Sequence, residues 1–199
     1  MVEFPKKIYN FSAGPCVLPQ EVLKQAQENC VDTNGAGVSV LEMSHRSKPF
    51  VSIVETAEKD LRDFLCIPDD FTVLFLGGGA SLQFSAIPYN LLRGKTKANY
   101  LTTGNWSQSA SKDASKLCSV VEAWPDSGSK FNTIPDPSKW IIDNDSAYFH
   151  YCLNETIYGV EFHDFPYDKV TSPLVSDMSS AIGSRNIDWD KHAVIYAGA

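Results

Sequence analysis

Residues 71–81 read Phe71-Thr72-Val73-Leu74-Phe75-Leu76-Gly77-Gly78-Gly79-Ala80-Ser81. The first six are apolar or β-prone without a break, which suits a strand covered on both faces, and the glycines then stop it. A helix is expected near Ser81, because Leu82-Gln83-Phe84-Ser85-Ala86-Ile87 follows. Pro88 either kinks that helix or packs where a lost hydrogen bond is tolerated. Strand, glycine turn and helix N-terminus in that order gather small residues and free backbone N–H groups at one point. That suits an anion, and the Ser81 hydroxyl adds a donor. The turn has neither the lysine of a P-loop nor the spaced G-x-G-x-x-G of dinucleotide sites, so nucleotide binding and nicotinamide chemistry lose ground. On its own, a triple glycine also fits a turn that needs only positive φ.

Outward from this stretch the pattern alternates. Up to Val17 the chain is rich in turn residues and should be extended, and a helix starts after Pro19 and ends at Asn34-Gly35-Ala36-Gly37. Residues 51–65 place Val51, Val54, Ala57, Leu61, Phe64 and Leu65 on one helical stripe, closed by Pro68. That predicts an amphipathic helix on a core. Further apolar runs at 98–102, 119–124, 147–151, 173–175 and 193–196 read as strands. The alternation predicts an α/β fold with a mainly parallel sheet flanked by helices.

Composition narrows the function classes. The 199 residues are 43% hydrophobic, enough for a substantial core, and carry a net charge of −7. An acidic chain lacks the clustered lysine and arginine from which nucleic-acid binding draws its affinity, so no nucleic-acid partner is expected. Cys16, Cys30, Cys66, Cys118 and Cys152 show no CxxC pair and no zinc-site spacing, and are read as reduced and mostly structural, with no metal expected. No apolar run follows the lysines of the N-terminus and none is long enough to span a bilayer, which predicts a cytoplasmic protein without a membrane partner.

In a parallel sheet, ligands sit beyond the carboxyl ends of the strands, so the residues just after each apolar run carry the chemistry. The glycine turn is one such end. At a second, Thr103-Gly104-Asn105-Trp106 sets an indole beside a glycine, where it could stack on a flat ring or simply cover the core. The third is Asn154-Glu155-Thr156, where Thr156 could bond a ligand oxygen or cap a helix. Asp177 closes the fourth, in Leu174-Val175-Ser176-Asp177-Met178-Ser179-Ser180. A carboxylate at the end of an apolar strand wants a cationic partner: a protonated ring nitrogen, a magnesium ion, or instead a helix end to cap. Together the four ends supply a phosphate cradle, a stacking ring, a donor and a pyridinium partner, which is close to what one cofactor, pyridoxal 5'-phosphate, requires.

Taken in order, the motifs resemble the phosphoserine aminotransferase family, within the fold-type I pyridoxal-phosphate enzymes. The series is Asn10-Phe11-Ser12-Ala13-Gly14-Pro15, Glu42-Met43-Ser44-His45-Arg46-Ser47, Gly77 to Phe84, Thr103 to Ser107, Asn154 to Gly159 and Ser176 to Ser180. The resemblance implies that Ala80 and Ser81 hold the cofactor phosphate, that Trp106 stacks on the ring, and that Thr156 contacts its phenolic oxygen. It implies that Asp177 pairs with the ring nitrogen, that Ser12 and Arg46 bind the substrate carboxylate, and that His45 meets the substrate phosphate. Asp177 and Trp106 would be the catalytic pair of this chain. The implied reaction moves an amino group between glutamate and 3-phosphohydroxypyruvate, giving 2-oxoglutarate and phosphoserine, in a homodimer with sites at the subunit boundary.

The family's Schiff-base lysine follows Gln directly after the strand that matches 192–199, and this sequence stops at Ala199, while Lys191 precedes that strand. The expectation is therefore an N-terminal arm, 1–17, and a large cofactor-binding domain, 18–199, incomplete here and without the small C-terminal domain. Rival readings are another fold-type I enzyme, such as an alanine:glyoxylate aminotransferase or a cysteine desulfurase, and a non-catalytic protein that keeps the fold.

Overall fold

The structure, a computed structural model, describes residues 8–12, 14–125 and 131–198. Ala13 of the opening motif and Ala199 thus lie outside the described residues. The chain divides into two compact units, Met1–Val73 and Leu74–Ala199.

In the first unit, helix α1 spans Gln20–Asn29, directly after Pro19 as the sequence suggests. The turn that follows uses left-handed backbone at Asn34, Gly35 and Gly37. Ser39 and Glu42 then form a reciprocal capping box around a short 3-10 turn. Helix α2, Lys48–Leu65, carries Pro49 in its first turn, where a missing N–H costs nothing, and stops at Cys66 with φ 53°. Its expected apolar stripe is present, yet of the helix only Leu65 is buried, while Val51, Val54 and Phe64 stay exposed. Arg62 fastens the segment beyond the helix by donating to the carbonyls of Pro68 and Phe71, at 3.3 and 2.9 Å.

The second unit is built on a five-stranded sheet in the order β2-β1-β3-β4-β5. The strands are β1 Lys97–Leu101, β2 Ser119–Glu122, β3 Phe149–Cys152, β4 Leu174–Asp177 and β5 Val194–Tyr196, and every pairing is parallel. Each lies within one of the apolar runs or extends past it by one or two residues. β3 and β4 are buried along their whole length, as strands covered on both faces should be. Alternating side chains divide between two cores. Ala98, Tyr100, Tyr148, Val175 and Tyr196 pack with Phe84, Ile87, Ala110 and Ala114, which come from helices α3, Gly79–Leu91, and α4, Asn105–Ala114. Leu101, Phe149, Tyr151 and Leu174 pack on the other face with Phe162, Phe165 and Met178.

The strand expected at 71–76 does not form, and these residues run as irregular chain into α3. Leu74, Phe75 and Leu76 are 68%, 58% and 62% exposed. An apolar run becomes a strand only where a neighbouring edge accepts its N–H and C=O groups, and among the described residues none of the five strands pairs with it. Helix α3 does follow the glycines, but begins at Gly79, ahead of the expected Ser81. Pro88 sits inside it, buried, and the helix carries on past it to a bond from the Leu92 N–H to the Pro88 carbonyl. Among the described residues no helix is long and apolar enough to cross a membrane.

Candidate functional site

All four chemically unusual ends lie in the second unit, at the carboxyl side of its parallel sheet. At the glycine turn, Gly78 and Gly79 have φ 92° and 59°. A Cβ at Gly78 would come within 2.7 Å of the Leu82 side chain, so only glycine makes this turn into α3. Ala80 and Ser81 form the first turn of the helix, where backbone N–H groups have no helical acceptor, and Ser81 is exposed. Gly198, just past β5, lies against this turn: a Cβ there would be 3.1 Å from the Ala80 nitrogen. The Gly198 N–H donates to Ser179 Oγ at 2.9 Å, which ties the ends of β5 and β4 to the start of α3.

Trp106 occupies the first turn of α4, 41% exposed, at the end of β1. The turn is held by Glu155, which is fully buried and comes from the loop after β3. Its carboxylate accepts from the Trp106 and Ser107 amides at 2.9 and 3.3 Å, from the Thr103 hydroxyl at 3.2 Å and from the Ser107 hydroxyl. A buried carboxylate thus caps α4, satisfying amides a helix leaves open and matching the positive end of its dipole. Burial pushes the Glu155 carboxyl up from the usual range, and these hydrogen bonds oppose the shift. Gly104 is required for the approach, since a Cβ there would lie 2.4 Å from Glu155 Cδ and Oε2.

Thr156 follows directly, with φ 58°, a conformation that a β-branched residue rarely adopts. It is held by its own N–H donating to Asn154 Oδ1 at 2.7 Å and by its hydroxyl donating to Ser180 Oγ at 2.6 Å. Ser180 in turn donates to the Asn154 carbonyl at 3.0 Å, so the loop after β3 is bound to the loop after β4.

Asp177 is the last residue of β4 and only 3% exposed. The Ser179 N–H and hydroxyl donate to its Oδ1 at 2.9 and 2.7 Å. No lysine or arginine pairs with it among the described residues. Its donors are neutral, which leaves a buried carboxylate suited to a cation from a ligand.

The other predicted residues belong to the first unit. The Ser12 N–H donates to Asn10 Oδ1 at 3.0 Å in a tight turn. His45 and Arg46 are exposed neighbours ahead of α2, with Arg46 Nε 3.4 Å from His45 Nε2.

Within the second unit, then, one sheet end offers an anion site at a helix N-terminus, a partly exposed indole, a hydroxyl on a strained loop and a buried carboxylate. This set fits a flat, phosphorylated ring with a basic nitrogen, and the cradle at Gly78 and Gly198 would be filled by any side chain. Sequence reasoning did not identify Glu155, Ser179 or Ser180 as parts of the scaffold. For Ser179 a local signal existed, because a serine two residues after an aspartate at a strand end commonly closes such a turn.

Comparison with known proteins identifies the family and the fold. The family Aminotransferase class-V matches residues 8–199. The chain is 52% identical over 192 residues to the phosphoserine aminotransferase of Laribacter hongkongensis, covering 96% of this chain and 53% of that protein. It is 49% identical over 193 residues to that of Vesicomyosocius okutanii subsp. Calyptogena okutanii, covering 97% and 53%. Among solved structures, a phosphoserine aminotransferase with bound pyridoxal phosphate from Trichomonas vaginalis superposes with a TM-score of 0.91 at 40% identity, over 96% of this chain and 57% of that one. The parallel sheet with its flanking helices is therefore the fold-type I arrangement, and the chain spans about half the length of the curated relatives it matches.

Proposed function

Since this chain belongs to the class-V aminotransferase family, we propose that it carries the cofactor- and substrate-binding part of a phosphoserine aminotransferase. The reaction is reversible amino transfer between glutamate and 3-phosphohydroxypyruvate, giving 2-oxoglutarate and phosphoserine, in serine synthesis. The observation that carries this reading is Asp177: a buried carboxylate whose donors among the described residues are neutral, at the sheet end that also holds the glycine turn and Trp106.

When bound, pyridoxal 5'-phosphate supplies an electron sink for the negative charge that develops at the α-carbon of an amino acid. The residues of this chain hold and tune it. The Ala80 amide and the Ser81 amide and hydroxyl bind the phosphate at the start of α3. Trp106 covers one face of the ring and keeps water from it. The Thr156 hydroxyl, which donates to Ser180 Oγ in this structure, turns from it to donate to the phenolic oxygen. Asp177 keeps a proton on the ring nitrogen by pairing with the charged form. Ser12 and Arg46 take the substrate carboxylate, for which a guanidinium provides parallel hydrogen bonds, and His45 takes the substrate phosphate. Residues 1–17 act as an arm and 18–199 as a large domain, in a homodimer located in the cytoplasm.

Activity assays on the full-length polypeptide test the proposal. Phosphoserine should form from 3-phosphohydroxypyruvate and glutamate in the presence of pyridoxal 5'-phosphate. Preferred turnover of alanine with glyoxylate would assign a different aminotransferase, and tight cofactor binding without any turnover would assign a binding scaffold.

A further inference from the structure

β4 ends at Asp177 and the chain turns at once: the Met178 carbonyl accepts from the Ala181 and Ile182 N–H groups, at 2.9 and 2.8 Å. That diverts it from the sheet. A bond from the Met178 N–H to the Tyr196 carbonyl, at 2.9 Å, closes the ladder between β4 and β5. In a parallel ladder that continued, the next donor along β5, the Gly198 N–H, would meet the Met178 carbonyl. It meets the Ser179 hydroxyl instead, at 2.9 Å. A serine side chain thus supplies the acceptor that the turn took away.

This contact decides what the Ser179 hydroxyl can do. An N–H only donates, so Oγ accepts from Gly198 and its single proton is left to donate. It donates to Asp177 Oδ1 at 2.7 Å, beside the 2.9 Å bond from the Ser179 N–H to the same oxygen. The backbone bond alone would be an ordinary Asx turn. The hydroxyl adds a second hold on the carboxylate, with its own orientation fixed by a residue 19 positions away. Gly198 in turn lies against the start of α3, where a Cβ on it would be 3.1 Å from the Ala80 nitrogen and 3.2 Å from the Ala80 Cβ. One hydroxyl therefore joins the carboxylate read as the partner of the ring nitrogen to the turn read as the phosphate site.

We propose that Ser179 is a positioning residue that acts through Asp177, its hydroxyl holding the carboxylate plane and tying it to the end of β5 that backs the phosphate turn. The proposal rests on the reading of Asp177 as the partner of the cofactor ring nitrogen. A flat ligand held at both ends needs those ends preorganised, and a carboxylate with one donor fewer turns more freely about its Cβ–Cγ bond. Without the hydroxyl, the carboxylate spends less time in line with the ring nitrogen, and the charged form of the ring loses part of its support. The Gly198 N–H loses its acceptor as well, which loosens the strand end against Ala80.

The full-length protein, loaded with pyridoxal 5'-phosphate carrying 15N in the ring, tests this. In Ser179→Ala the nitrogen chemical shift should move toward that of a neutral pyridine, and amino transfer should slow roughly tenfold or more, as when a group supporting a ligand-binding residue is removed. Amide hydrogen exchange at Gly198, followed in the cofactor-free protein, should become faster in the same variant. Ser179→Thr, which keeps the hydroxyl, should restore all three. An unmoved ring signal in Ser179→Ala, even with turnover or stability lowered, would overturn the proposal and leave the cofactor assignment intact. A signal displaced alike in Ser179→Ala and Ser179→Thr would assign the effect to packing and overturn the role of the hydroxyl. A wild-type holoenzyme whose ring nitrogen is neutral overturns the reading of Asp177 itself, and the proposal with it.

Discussion

The Trp106 amide donates a 2.9 Å hydrogen bond to the carboxylate of Glu155, a residue from the loop after the next strand of the sheet. The group proposed to stack on the cofactor is thus positioned by the residue next to the one proposed to bond its phenolic oxygen.

That relationship makes Glu155 a stability determinant. Glu155→Ala strands the Thr103, Trp106 and Ser107 donors in a dry interior, which should cost about 1–3 kcal/mol in urea unfolding. The pH dependence has a definite sign. Burial raises the folded-state value above the ordinary carboxylate value of 4.5, so between the two the folded state binds more protons than the unfolded one. The contribution of Glu155 to stability is therefore greatest below that ordinary value and is lost as pH rises through the raised one. Glu155→Gln should flatten the stability profile in that window, and an unaltered slope would show that another group sets it.

Gly104 should be coupled to Glu155. Its backbone is extended, with φ −177°, so alanine is conformationally acceptable there and only the 2.4 Å approach to Glu155 forbids it. Gly104→Ala should destabilise by about 1–3 kcal/mol through overpacking. In a Glu155→Ala background the same change should cost far less, with a coupling energy of roughly 0.5–3 kcal/mol in the double-mutant cycle. Simple additivity would mean that the two residues do not meet.

These long-range contacts mark the boundary of what the sequence reveals. The five strands are legible as short apolar or β-prone runs, most plainly β3 and β4, which are buried along their whole length, and Asp177 and Trp106 stand out because they end or follow such runs. Glu155 is not legible as a cap, since its partners lie 48 to 52 residues away. Capping is the alternative expected of Thr156, and it falls instead to the neighbouring Glu155, which caps α4 rather than a local helix. The run at 71–76 misleads for a related reason: hydropathy reports that a segment is apolar, not that an edge is there to pair with it. The left-handed Thr156 is hidden as well, because a β-branched residue is among the last expected in that conformation.

Strain at Thr156 gives a third test. Thr156→Gly relieves a backbone penalty of about 1–3 kcal/mol. It also loses the hydroxyl bond to Ser180, about 1 kcal/mol, and adds unfolded-state entropy worth about 0.5–1 kcal/mol. The terms nearly cancel, so the stability of the cofactor-free protein should move by less than about 1 kcal/mol in either direction. Cofactor affinity, measured by equilibrium dialysis of the full-length protein, should nevertheless fall, because the donor to the ring oxygen is gone. Unchanged affinity would confine Thr156 to a structural turn.

Asp177 separates function from stability most sharply. Its carboxylate is buried with neutral donors and without a pairing lysine or arginine among the described residues, an arrangement that costs the cofactor-free protein energy. Asn in its place keeps the shape and an oxygen to accept from Ser179, but carries no charge to bury. Asp177→Asn should therefore leave the cofactor-free protein as stable as the parent or more so, as expected where a group is kept for function at the expense of the fold. In the holoenzyme the same change removes the partner of the ring nitrogen at the moment charge develops at the α-carbon, and turnover should fall by about 10²- to 10³-fold, the scale of losing one preorganised electrostatic contact. The phosphate contacts at Ala80 and Ser81 are untouched, so cofactor should still bind. Urea unfolding without cofactor, set beside turnover with it, decides the matter: a destabilised protein with near-parental turnover would make Asp177 a turn-forming residue of β4 and remove the main support for the cofactor site.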